Sequence, residues 1–385
     1  ELNQNLKFIT EGLSFHGLFH TNRYSYWDSQ TAYAPYYYNV ATYDKTSNQY
    51  TLQWLNPKQG DAREYLLYYR NPNSDNLNSY IFFQGIMNYD RRFGDHNISA
   101  SLIGTQQQTV YSDALNPVTN QQDLQYSLPY RNLTLAGRAT YSFKSRYFLE
   151  FNFGYNGTER FSANHRYGFF PTIGGSWVVS NEKWWDNSLS EILQRLKFRA
   201  SYGIVGNDNI GQQRFYYQSN VNLSGGNPAS FGTNNGYQLP GVVVNNYANP
   251  DITWETSRQL NLGVEFTTLR DLNVIVEVYK YHRYNILQDR TSIPTTMGLE
   301  AGITANIGTA NTKGIDIQMD YKHSFDKNFW LQGRGNFTFA ESTYGKYEEP
   351  QYPGNEAYRY ESGQVIGRQF GFIAERLFVD DNEAR

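Results

Sequence analysis

The residues able to do chemistry are scattered along this chain rather than gathered. Its six histidines are His16, His20, His96, His165, His282 and His323. His16 and His20 fall on one face of a strand, but at about 3.3 Å per residue they stand ~13 Å apart, too far to hold one ion. His96 sits in a short turn, where capping the turn suits it better than ligation. Glu150, Glu265 and Glu277 occupy polar positions of strands. A catalytic carboxylate pair needs a separation of about 5–10 Å, which spacing does not fix, and charges on a solvated face are the simpler reading. Gly203, Gly206 and Gly211 are followed by no Lys-Ser/Thr and no helix, so they make no phosphate loop. The absence of cysteine removes thiol nucleophiles, disulfides and thiolate metal sites. No nucleophile, base and orienting group come together, so neither enzymatic activity nor a cofactor or resident metal is expected.

Binding chemistry is better represented. Trp27, Tyr33, Tyr36, Tyr37 and Tyr38 crowd one polar stretch, and Asn207, Asp208, Asn209, Tyr216, Tyr217 and Tyr237 lie in or beside another. Aromatic faces stack on sugar rings or peptide side chains, and amides hydrogen-bond hydroxyls or backbone groups. These eleven residues are the candidate substrate contacts. The competing reading is that the tyrosines form an aromatic girdle or pack loop against loop.

The elements that must position them are strands. Leu133, Leu135, Ala139, Tyr141 and Phe143 alternate with polar residues, and Tyr147, Leu149, Phe151, Phe153 and Tyr155 alternate with Glu150, Asn152, Gly154 and Asn156. The same period of two recurs over residues 197–204, 260–266 and 315–322. Tyr147 to Tyr155 covers roughly 27 Å of strand, or about 20 Å of height at a ~40° tilt, close to the ~25 Å apolar band of an outer-membrane barrel. The composition agrees: 34 Tyr and 24 Phe, with a mean hydropathy of −0.67. No apolar run approaches the ~20 residues of a membrane helix. A net charge of −3 and a pI near 6.1 argue against a nucleic-acid partner.

Connection lengths test the barrel reading independently. Short turns fall at residues 92–95, 144–145, 269–271 and 326–328, and long polar stretches at 109–130, 157–167, 206–250, 286–312 and 343–365. From residue 77 onward they alternate, which puts short turns on one side and long loops on the other, the outer-membrane habit. Residues 180–196 depart from this as a short helix. Leu6–Phe19 reads as a strand, and Tyr36–Tyr43 with Tyr50–Leu55 as a hairpin of unassigned position.

Specific motifs sharpen the class. Asn88-Tyr89-Asp90-Arg91-Arg92-Phe93-Gly94-Asp95-His96-Asn97 resembles a stretch of the SusC/RagA family of TonB-dependent outer-membrane transporters. So do Gly168-Phe169-Phe170-Pro171, Gly175-Ser176-Trp177 with Ser180-Asn181-Glu182, Trp254-Glu255, and Asn306-Ile307-Gly308 with Asn311-Thr312-Lys313-Gly314. The matches are ordered and run from about residue 77 to 378.

The resemblance implies an all-β fold, a partial transmembrane antiparallel β-barrel of the large plugged outer-membrane type with about 22 strands, long outer loops and short periplasmic turns. Roughly 13–15 strands are expected at the usual ~10-residue strand length. Residues 1–385 are expected to form a single partial barrel domain, an interior part of a larger transporter without its plug domain. Implied partners are membrane lipid, a SusD-like surface lipoprotein, TonB acting through a plug region, and an oligosaccharide or peptide substrate. The alternative reading is a soluble or surface-exposed β-sheet module that binds glycans. A passive porin is the third.

Overall fold

The computed structural model describes residues 1–26, 29–33, 36–55, 65–69, 76–111, 123–185, 187–211, 213–269, 271–371, 376 and 379. Its chain divides into two compact units: residues 1–17, 84–105 and 132–385 form one, residues 18–83 and 106–131 the other. Among the described residues there are eighteen strands, of which twelve form one sheet. These are β1 (Leu2–Asn5), β2 (Leu13–Tyr26), β7 (Asn76–Phe93), β8 (His96–Tyr111), β9 (Tyr130–Phe143), β10 (Tyr147–Thr158), β11 (Tyr167–Val178), β12 (Leu193–Asn207), β15 (Glu255–Thr268), β16 (Leu272–Asp289), β17 (Thr304–Ser324) and β18 (Trp330–Tyr344). They follow one another in that order across the sheet. Three small hairpins complete the strands: β3 (Ser29–Tyr33) with β6 (Tyr65–Tyr69), β4 (Tyr38–Asp44) with β5 (Gln49–Trp54), and β13 (Asn220–Phe231) with β14 (Tyr237–Asn246).

The pairing register turns the alternation of the sequence into two faces. Across β9 and β10, Thr140 stands opposite Glu150 and Arg138 opposite Asn152, while Tyr141 stands opposite Leu149 and Ala139 opposite Phe151. The polar set lines a hollow and is called the inner face here. The apolar set lies open on the other side: Leu149 is 52% exposed, Phe151 42% and Ile173 51%. A soluble module would cover these side chains, because burying a Leu or Phe side chain is worth about 1.5–3 kcal/mol. Only an apolar solvent beyond the sheet makes an open apolar face favourable, so the soluble alternative does not suit this wall.

Close approach across strands is built into both faces. Gly137 lies under the ring of Phe153, its cross-strand partner, where any Cβ would collide with the ring. At the first turn the reading of Leu6–Phe19 as one strand fails. The chain runs as β1, a turn over residues 6–12, then β2, with Leu6 N–H donating to the Leu13 carbonyl (2.9 Å). Gly12 permits the reversal at φ +88, and its carbonyl accepts from Asp90 N–H at 3.0 Å. Ile9, within the stretch read as strand, belongs to that turn and is 64% exposed. The stretch expected as a loop at 286–312 is also shorter, because β16 continues to Asp289 and β17 begins at Thr304. The expected hairpin appears as β4 and β5, and the short helix as α1 (Asn187–Ile192).

At the short-turn end, Lys144 and Ser145 both take left-handed φ (53° and 54°), the geometry a two-residue hairpin turn demands. Beside them Tyr147 and Trp177 stand opposite each other with rings stacked at 6.4 Å. Both polar tips meet one carboxylate: the Tyr147 hydroxyl donates to Glu182 at 2.5 Å and the Trp177 indole at 3.0 Å, with Arg146 at 3.3 Å. The tyrosine hydrogen bond first, then the indole and the guanidinium, hold the Glu182 carboxyl below the ordinary carboxylate range. Aromatic rings thus mark the edge of the apolar band, and their polar ends are satisfied in the turn.

The two faces make opposite demands on a new charge. Phe151→Lys is expected to destabilise the wall by about 2–4 kcal/mol in a bilayer, whereas Asn152→Lys stays within about 0.5 kcal/mol. Unfolding of the full-length protein in lipid vesicles measures both, and equal costs would refute the assignment of faces.

Candidate functional site

Two features stand out as places where solutes could be met: the charged inner face and the packed outer loops. The inner hollow encloses about 690 Å³ and is lined from β7 to β16 by groups including Asp90, Arg138, Glu150, Asn152, Lys197, Arg199, Asn261 and Glu277. Its charges are compensated in place. Glu265 receives Lys197 and Arg199 at 3.3 Å each and Arg195 at 3.9 Å, and Arg199 reaches on to Glu277 at 2.8 Å. Arg138 pairs with Glu150 at 2.9 Å, and Arg334 with Asp320 at 2.8 Å. Most of these side chains keep contact with solvent, so each pair contributes only about 0.2–1 kcal/mol. Their larger effect is to leave a wettable surface with little net charge.

The long loops hold a core of their own. Phe161 (0% exposed), Ile252 (1%), Tyr216 (3%) and Trp254 (7%) pack together, with Phe170, Ile210 and Leu287 against them. Trp254 meets Phe161 and Phe170 edge-on at 5.6 and 5.3 Å, an arrangement favoured by the ring quadrupoles. Asn306 then clips the loops to the strand ends. Its Oδ1 accepts from Thr253 N–H at 2.9 Å, and its Nδ2 donates to the carbonyls of Thr253 (3.0 Å) and Asn285 (2.7 Å). Asn249 adds a bond to the Thr304 carbonyl at 2.8 Å.

A second tie joins the connection after β16 to the segment after β18. Glu348 accepts from Ser292 through both hydroxyl and N–H and from Arg290 at 2.9 Å, while Thr291 donates to the Glu348 carbonyl at 2.9 Å. The Ser292 hydroxyl first, then its amide and Arg290, keep the Glu348 carboxyl below the ordinary range.

The sequence candidates divide accordingly. In one unit, Tyr36 stacks near Tyr38 and tilts against Trp54, each at 5.9 Å, and Tyr36, Tyr37 and Tyr38 remain 45%, 56% and 48% exposed. Trp27 lies outside the described residues, and Tyr33 is placed in β3 with its side chain outside them. In the other unit, Asn207 accepts from Asn209 N–H at 3.0 Å, and Arg160 holds the turn through the carbonyls of Asp208 (3.3 Å) and Gly211 (3.2 Å). Tyr217 is half-buried against Phe215, and Tyr237 is 60% exposed on β14 opposite Phe231. Tyr216 is the exception among the tyrosines. At 3% exposure it is a packing residue of the loop core, and its neighbours there leave no ring face for a solute. The residues that organise the loops, Phe161, Ile252 and Asn306 with Trp254 and Glu348, were not among the candidates. Trp254 and Asn306 were visible only as parts of motifs.

One antiparallel sheet with an open apolar face and a wetted polar face is the wall of a transmembrane β-barrel. The chain matches the family described as TonB dependent receptor-like, beta-barrel over residues 2–376 and belongs to it. It is 25% identical over 335 residues to TonB-dependent receptor P3 of Formosa agariphila, which covers 78% of this chain and 32% of that protein. It is also 25% identical over 270 residues to TonB-dependent receptor SusC of Bacteroides thetaiotaomicron, covering 63% of this chain and 24% of that one. The chain therefore spans about a third or less of these relatives' length. Among solved structures, the RagAB peptide importer in its closed-closed state superposes with a TM-score of 0.59 at 16% identity, covering 90% of this chain and 36% of that one. The protein is a wall of an outer-membrane barrel of this family.

Two outcomes test the loop architecture. Trp254→Ala is expected to cost about 3–5 kcal/mol locally, read as faster amide exchange across residues 208–254 with the wall strands unchanged. Glu348 titrates lower in the folded state, so its tie is fully present above the unfolded value near ~4.3 and lost as pH falls through the folded one. Protease sensitivity of residues 290–303 should then rise in acid, and Glu348→Gln should show that sensitivity already at neutral pH.

Proposed function

We propose that this chain is the wall of a TonB-dependent importer that brings glycan fragments or peptides, too large for simple diffusion, across the outer membrane. The observation that carries the reading is the compensated inner face, where Arg138 pairs with Glu150 and Arg199 with both Glu265 and Glu277, beside a hollow of about 690 Å³. Such a surface stays hydrated and offers hydrogen bonds without trapping a charged solute. In the complete transporter a plug would rest against it, TonB would act on that plug, and a SusD-like surface lipoprotein would cover the outer loops. The name of TonB-dependent receptor SusC supports TonB as a partner, and that of the RagAB peptide importer supports peptide as a cargo. The chain itself does no covalent chemistry. Tyr36, Tyr37, Tyr38, Tyr217 and Tyr237, with Asn207, Asp208 and Asn209, are the residues proposed to meet cargo or lid.

Uptake of labelled oligosaccharides and labelled peptides by cells carrying the full-length protein tests this directly. Uptake of one cargo class is expected, with loss in a strain lacking TonB. Replacing Tyr36, Tyr37 and Tyr38 together by Ala should weaken uptake by about tenfold, as the loss of about 1.4 kcal/mol would. Uptake that persists without TonB would make the protein a passive pore and refute the proposal.

A further inference from the structure

On β9–β12 the outward positions carry no charge from Leu133 to Phe143, from Tyr147 to Tyr155, from Tyr167 to Trp177 and from Leu196 to Ile204. The outward face of β15–β18 differs, and only toward its outer-loop end. Leu260, Val278, Ile315 and Phe339 continue the apolar band there. One step further along, Lys280 stands directly opposite Lys313, and Lys313 opposite Glu341. One more step brings Arg258 opposite His282.

Lys280 and Arg258 are exposed, and the Lys313 side chain is 70% exposed. Directly opposed residues on one face have Cβ atoms about 5 Å apart, and like charges at that spacing repel. Glu341 offsets Lys313 at 3.0 Å, and Arg258 lies over the Tyr284 ring at 5.0 Å. His282 is engaged by Asn311 at 2.8 Å. Lys280 has no acidic partner among the described residues. The three cations and one carboxylate, on four adjacent strands, leave a local excess of positive charge.

Height decides what meets it. Tyr321, near the short turns, and Lys313 share the outward face of β17 with Met319, Ile317 and Ile315 between them. Eight residues are about 26 Å of strand, or ~20 Å of height at the usual tilt, so the ammonium groups emerge where the ~25 Å apolar band ends. Lys stems run along apolar surface while their heads reach the interface. We propose that Arg258, Lys280 and Lys313 form a headgroup site for a phosphate-bearing lipid of the outer leaflet, whose chains lie on Leu260, Val278 and Ile315. Phosphate oxygens accept from all three cations and remove the repulsion between the lysines. The site rests on the placement of the wall in the outer membrane and is independent of the cargo.

The full-length transporter in nanodiscs of mixed phosphatidylcholine and phosphatidylglycerol provides the test, with retained lipids counted by native mass spectrometry. The wild-type protein should hold the anionic lipid about fivefold above its share of the mixture, roughly what 1 kcal/mol of preference gives. The double variant Lys280→Gln, Lys313→Gln should return to that share, and Lys280→Arg, Lys313→Arg should keep the enrichment. Unchanged enrichment in the glutamine variant overturns the proposal, as does displacement of the lipid by free inorganic phosphate, which would make the site one for a soluble anion. Should the glutamine variant fail to fold, the salt dependence of the wild type decides: enrichment must fall as ionic strength rises, and a salt-independent value overturns the site.

Discussion

Hydrocarbon offers no hydrogen-bonding partner to a peptide group, and everything in this wall follows from that. Each N–H and C=O within the bilayer must be met by a neighbouring strand, which requires long strands in continuous antiparallel order. Of the twelve strands in this sheet, the ten between β1 and β18 have a neighbour on each side. Once both edges of a strand are committed to pairing, only the two faces remain free to differ, and the period-two pattern assigns one to lipid and one to water. The hydrophobic effect therefore does not build a core inside the wall. Among the described residues, most of the buried apolar ones, Phe161, Val179, Phe215, Tyr216, Ile252 and Trp254 among them, lie outside the strands, in turns and loops.

That displacement of the core explains the division of labour between the ends. In the strands, stability comes from backbone pairing and lipid contact, and side chains need little mutual packing. Beyond the strands the chain meets water again and must bury apolar groups in the ordinary way, which the Phe161–Trp254 cluster does. Both ends also use a carboxylate as a multiple acceptor: Glu182 gathers Tyr147, Trp177 and Arg146 at the turns, and Glu348 gathers Ser292 and Arg290 at the loops. Partly shielded from solvent at 9% and 15% side-chain exposure, each fixes two or three segments at once.

Much of the wall was legible because a half-lipid, half-water strand imposes a strict period. Tyr147–Tyr155 was read with its faces correctly assigned, and short and long connections alternate as expected. The misreadings share one cause, which is that local pattern does not see a distant partner. Ile9 falls within the stretch read as strand, but the backbone reverses at Gly12 because Asp90 of β7 binds there. Residues 286–289 looked like loop because Asn285 and a register shift interrupt the alternation, yet β17 continues to pair with them. In the loops the chemistry of Tyr and Asn was visible, but not which side chains pack. Tyr216 and Tyr217 are adjacent in sequence, and only the three-dimensional meeting of residues 161, 252 and 254 buries the first and leaves the second at the margin.

This sorting also narrows what the outer end can offer a solute. A loop held by the Trp254 cluster, the Asn306 clip and the Glu348 tie has little freedom to reshape itself around cargo. On the proposed reading, recognition falls to side chains that the packing leaves outside. Tyr237 on its hairpin and the Tyr36–Tyr38 run meet that condition, since their exposure survives although nearby aromatic rings are available to cover them. Aromatic rings held on ordered backbone lose little entropy when they bind. Each of these runs is carried by its own hairpin, Tyr237 by β14 paired with β13 and Tyr38 by β4 paired with β5, so the backbone that orders the rings is local to them.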